Sequence, residues 1–125
     1  MDKQPLNEIK ANLFKGLAHP VRIRVLELLS AADEVPVATL IAETGLEASH
    51  LSQHLAVLRR YQLVESERRA STVYYRLASA HVAELLHVAR ALLTEILETT
   101  RDHLVLSTGT RPGPRPGTRP DTADA

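Results

Sequence analysis

The sequence predicts a mainly helical fold carrying one small β-hairpin. Three observations point there. Apolar residues recur at helical spacing over most of the chain up to about Leu104. A single stretch, residues 63–77, instead alternates in β-rich fashion. Apolar residues make up 44% of the 125-residue chain, yet aromatics are only 3%, with no Trp and one Phe, so the core must be aliphatic. Leu, Ile, Val and Ala cores favour helices packed on helices.

In order, Leu6, Ile9, Leu13, Phe14 and Leu17 form the stripe of a first helix. His19-Pro20 interrupts it, and Pro20 suits the first turn of a second helix. Val21, Ile23, Val25, Leu26, Leu28 and Leu29 make that helix apolar on most sides, so it is expected at the centre. Ala31 to Val35 reads as a polar connection, and Pro36 opens a short third helix. This helix ends at Gly45, suited to a left-handed C-cap. After the Gly45-Leu46 turn, a fourth helix is expected from about Glu47 to Tyr61. Leu63 to Glu67 and Thr72 to Leu77 read as strands, joined through Arg68 to Ser71. Ser79 can N-cap a long final helix reaching about Leu104. The expectation is thus one domain over residues 1–106, followed by a disordered tail over 107–125 rich in Pro, Gly and Arg. That tail is read as a soluble extension, with a weak DNA-tracking arm as its alternative.

Composition removes several function classes. The chain has no cysteine, hence no disulfide, thiolate metal site or Cys nucleophile. No Gly-rich phosphate loop, activated nucleophile or pocket-lining carboxylate pair is evident, so no enzyme is expected. The N-terminus lacks the apolar run of a signal peptide, and nothing approaches the roughly 18 apolar residues of a spanning helix. The expected location is cytoplasmic, with no membrane partner. Fifteen basic and fifteen acidic residues cancel, so only their distribution is informative.

Helix, Gly turn, helix and two-stranded ribbon is the order of a winged helix-turn-helix. On the fourth helix Leu51, Leu55 and Leu58 face the core. The opposite face carries Ser49, Ser52, Gln53, Ala56 and Arg60, flanked by His50 and Arg59. Small, polar and basic residues suit a helix in the DNA major groove. A solvated helix face would look similar, but the ribbon adds Arg68 and Arg69 at its tip and Arg76 on its outer side. From Glu47 to Arg76 there are five arginines against three glutamates, so the segment is locally basic. The DNA-contact set is therefore Ser49, His50, Ser52 and Gln53 toward bases, with Arg59, Arg60, Arg68, Arg69 and Arg76 toward phosphates. His54 lies beside the leucine stripe and is expected to be half-buried and hydrogen-bonded; His19 is expected to be structural. A protein-interaction module built on the same fold is the rival reading.

Leu17-Ala18-His19-Pro20-Val21-Arg22-Ile23-Arg24-Val25-Leu26-Glu27-Leu28-Leu29 resembles the second-helix signature of the ArsR/SmtB bacterial regulators. Leu51-Ser52-Gln53-His54-Leu55-Ala56-Val57-Leu58 is similar to their recognition helix, and Leu63-Val64 and Val73-Tyr74-Tyr75-Arg76-Leu77 to their wing strands. The resemblance spans about residues 6–104. It implies a homodimer on a palindromic operator, usually a repressor relieved by an effector. The sequence departs from the pattern at Ala70, where glycine is common, and at Glu47-Ala48.

The final helix has an apolar face spanning roughly half its circumference, wider than one core requires. Dimerisation through the terminal helices is therefore expected, with Leu85, Leu92, Leu93 and Ile96 in the interface. Of the metal site that the resemblance implies on paired last helices, only His81 and Glu95 match. A site for Ni²⁺ or Zn²⁺ from His81, Glu84, His87 and Glu95 is nonetheless a candidate input, since His and carboxylate ligands suit those ions. The other inputs are abundance or a partner protein.

Overall fold

The computed structural model describes residues 4–108. Five helices and three short strands follow in the order α1 (Gln4–Leu17), α2 (Pro20–Ser30), β1 (Val35–Pro36), α3 (Val37–Thr44), α4 (Ala48–Arg60), β2 (Val64–Arg69), β3 (Thr72–Leu77) and α5 (Ala80–Thr108). The chain divides into two units, the winged-helix body as far as His87 and the rest of α5 from Val88.

Local chemistry sets the boundaries. Pro20 occupies the first turn of α2, where its missing N–H costs nothing. His19 caps that helix, its Nδ1 accepting from the Val21 amide at 3.1 Å. Gly45 closes α3 at φ 71°, a backbone state that suits glycine, and its N–H returns to the Ile41 carbonyl at 2.9 Å. The Thr44 hydroxyl donates to the Leu40 carbonyl at 2.7 Å, tightening the same turn. Ser79 caps α5, accepting from the His81 amide at 3.1 Å.

The core is aliphatic, as the composition required. Val25, Leu26, Leu29, Leu40, Leu51 and Leu58 are fully buried and draw α2, α3 and α4 together. Each such side chain contributes about 1.5–3 kcal/mol by leaving water. Gly16 of α1 lets Tyr61 approach so closely that a β-carbon there would lie 2.8 Å from the ring. The α1 helix is thereby seated on the end of α4.

The sheet is larger than the expected hairpin. Its three strands run antiparallel in the order β1-β3-β2, with Val35 opposite Tyr75 and Pro36 opposite Tyr74. The two residues of β1 are too few to show a period, and Pro36 serves there as strand end and as N-cap of α3. The wing strands also run further than expected, pairing to Arg69 opposite Thr72, so only Ala70 and Ser71 remain in the turn. Ala70 sits at φ 55° in that turn. Helix α5 passes the expected end at Leu104 and includes residues 107 and 108; the rest of the expected tail lies outside the described residues. Among the described residues, no helix is long and apolar enough to cross a membrane.

Candidate DNA interface

Helix α4 is anchored from one side and open on the other. Leu51, Leu55 and Leu58 are buried, whereas Ser49, His50, Ser52, Gln53, Ala56, Arg59 and Arg60 are exposed. The helix begins at Glu47 without a side-chain cap, so first-turn amides keep their donors on the exposed side. Such a helix N-terminus favours anions.

Arg22 and two histidines brace the inner flank of α4. The Arg22 guanidinium donates to the carbonyls of Gly16 at 2.8 Å and Lys15 at 3.1 Å, completing the C-terminus of α1. Its Nη1 also reaches Nδ1 of His54 on α4, at 3.4 Å. His54 is half-buried beside His19. Burial, followed by the nearby charges of His19, Arg22 and His50, lowers the His54 pKa from its ordinary value. The expected structural roles of His19 and His54 match this geometry.

The basic residues differ from one another in setting. Arg59 leans toward β2, its Nη1 3.4 Å from the Ser66 hydroxyl. Arg60 lines an open cleft of about 400 Å³ with Ile9, Lys10, Leu13, Tyr61 and Gln62. Arg68 lines a second cleft beside Val37 and Ile41 of α3. Arg69 forms an ion pair with Glu34 and lies over the Tyr74 ring, 3.9 Å from its centroid. Arg76 is held by Glu65 at 3.2 Å and Glu67 at 3.3 Å. Two of the three wing arginines thus already have carboxylate partners, which the count of charges along the chain did not reveal. Glu34 and Arg22 were missed because their partners lie 35 and 32 residues away. The Glu65–Arg76 pair follows from strand register and was readable in principle.

The candidate metal ligands do not converge. His81 Nε2 and Glu84 Oε1 approach to 3.9 Å, with both side chains largely exposed, and His81 Nδ1 also meets the Ser79 hydroxyl at 3.1 Å. His87 and Glu95 are exposed, and no group of three metal-capable side chains occurs among the described residues. The ligands of one chain therefore do not fit a metal ion. Leu85 is set apart from the other expected interface residues. It packs with Leu86 against the winged-helix core, so the open apolar face starts at Val88 and includes Leu92, Leu93 and Ile96.

Residues 17–67 match the family described as a helix-turn-helix domain. An HTH-type transcriptional regulator of Mycobacterium tuberculosis (strain ATCC 25618 / H37Rv), Rv0081, is 46% identical over 97 residues, covering 78% of this chain and 85% of that protein. The crystal structure of M. tuberculosis Rv0081 superposes with a TM-score of 0.73 at 45% identity, covering 77% of this chain and 96% of that chain. The solution structure of the homodimeric winged helix-turn-helix DNA-binding domain Mb0332 from Mycobacterium bovis, described as a possible ArsR-family regulator, gives 0.72 at 31% identity, covering 79% and 92%. At this identity and coverage the chain belongs to the ArsR-type family of winged helix-turn-helix transcriptional regulators and is not an enzyme.

Proposed function

We propose that this protein is a homodimeric, sequence-specific regulator that places α4 in the major groove of a palindromic operator. The observation that carries the reading is the division of α4 itself. Three buried leucines fix its orientation, and the opposite face is polar, basic and open from Ser49 to Arg60. In this reading Gln53 contacts an adenine edge through two hydrogen bonds, with Ser49, His50 and Ser52 on neighbouring bases or phosphates. Arg59, Arg60 and Arg68 supply sequence-independent phosphate contacts. Arg69 and Arg76 have to leave or share their carboxylates before they can do the same. Two such helices related by a twofold axis match the symmetry of a palindrome. The protein acts where the DNA is, in the cytoplasm.

Selection of bound sequences from a random duplex pool, with the parent and Gln53→Ala side by side, tests this. A palindromic consensus is expected for the parent. Gln53→Ala should relax one position per half-site, at a cost of about 1–3 kcal/mol. Selection without any consensus contradicts sequence-specific reading. A nickel or zinc input is favoured only by the His81–Glu84 approach, and needs ligands from a second copy. Titration of DNA binding with each ion against a chelated control decides it, an unchanged affinity discarding both ions as effectors.

A further inference from the structure

Successive residues of a strand point to opposite faces, so adjacent Arg68 and Arg69 are not equivalent. Arg68 shares its face with Ser66 and buried Val64, toward the body of the domain. Arg69 lies on the outer face with Glu65 and Glu67, opposite Thr72, Tyr74 and Arg76 of β3. On that outer face every cation is matched. Arg76 sits between Glu65 and Glu67, and Arg69 is held by Glu34 above the Tyr74 ring. Glu34 is not a residue of the wing. It immediately precedes β1, and β1 pairs with β3 through Val35–Tyr75 and Pro36–Tyr74. The carboxylate is therefore tied to the same strand as the ring under the guanidinium. Arg69 keeps a 47% exposed side chain and Glu34 a 34% exposed one, so a phosphate can reach the pair.

We propose that Glu34 competes with DNA phosphate for the Arg69 guanidinium and holds down the affinity of the wing for DNA. The inference rests on the DNA-binding reading above. An exposed ion pair is weak enough to exchange partners. The carboxylate also repels phosphates lying within a screening length of about 8–10 Å. Glu34 thus tempers affinity without belonging to the base-reading face of α4. The hydrogen bond from Arg69 to Glu34 raises the Arg69 pKa, so the guanidinium stays charged throughout.

The test uses the full chain and mixed-sequence duplex DNA as the probe. Glu34→Gln keeps the shape and removes the charge. It should bind about threefold to tenfold more tightly than the parent. Its plot of log affinity against log salt should steepen by about 0.9, the increment for one added phosphate contact. The gain from Glu34→Gln should be much smaller in an Arg69→Ala background than in the parent, a coupling that a double-mutant cycle reads directly. Unchanged or weaker binding by a folded Glu34→Gln overturns the proposal. So does an equally large gain in the Arg69→Ala background, and Glu34→Ala serves the same cycle where Glu34→Gln fails to fold. Normal salt-dependent binding by the parent with an inert Glu34→Gln removes this inference alone, whereas no DNA binding by the parent removes the underlying reading as well.

Discussion

The imidazole of His54 lies 4.3 Å from that of His19, centroid to centroid, tilted by 49°. One ring caps α2 and the other belongs to α4, so the contact joins the N-terminus of the central helix to the proposed reading helix. Arg22 faces His54 from α2 and fixes its Nδ1 as the acceptor.

That arrangement tolerates a neutral His54 better than a charged one. Burial is the largest cause of its lowered pKa, with His19, Arg22 and His50 adding repulsion. The sign follows. The unfolded chain takes up this proton first as pH falls, so the His54 contribution is complete above its ordinary pKa and is lost below it. Denaturant midpoints taken from neutral pH down to about 5 should fall more steeply for the parent than for His54→Gln. Parallel curves would contradict the assignment.

Gly16 is needed for space. Alanine would raise helix propensity in α1 by up to about 1 kcal/mol. Its β-carbon, however, would meet the Tyr61 Cγ and Cδ2 at 2.8 Å, close to the root of the side chain where little give is available. We expect Gly16→Ala to be net destabilising, by about 1–3 kcal/mol in chemical denaturation. A stabilised variant would mean that Tyr61 moves aside freely.

Ala70 gives the opposite case. Its φ of 55° is unfavourable for a residue with a β-carbon. Ala70→Gly should relieve that strain and, after the extra unfolded-state entropy of glycine, stabilise the wing by about 0.5–1 kcal/mol. Thermal melting checks the direction, and a lowered midpoint would refute it.

The apolar face of α5 beyond His87 calls for a partner. Leu92, Leu93 and Ile96 are 55%, 54% and 49% exposed, and Val88 and Leu97 lie exposed in the same segment. We expect a second copy to cover this face. Leu93→Glu combined with Ile96→Glu should yield monomers in sedimentation equilibrium while the winged-helix body remains folded. A persistent dimer would place the interface elsewhere.

How much of this was readable from sequence depends on how far apart the partners stand. The leucine stripe of α4, the Gly45 turn, Pro20 at the start of α2 and the Ser79 cap are local patterns, and the structure has each of them. The wing was legible as alternation but not to its ends, because charged Arg68 and Arg69 carry no apolar signal that they continue β2. Strand β1 was hidden by its brevity. Glu34–Arg69 and Arg22–His54 were invisible because they join residues more than thirty positions apart. The apolar period of α5 could not divide Leu85, which packs on its own domain, from Leu92, which lies open.

The most direct test of the central claim is the affinity of the parent protein for duplex DNA, measured across a range of salt concentrations. A winged helix that binds DNA through exposed arginines must release counterions from the phosphates, so log affinity should fall linearly with log salt, by about 0.9 per phosphate contacted. Affinity that is absent at low salt, or present but indifferent to salt, would contradict the DNA-binding account and leave the fold serving protein contacts instead.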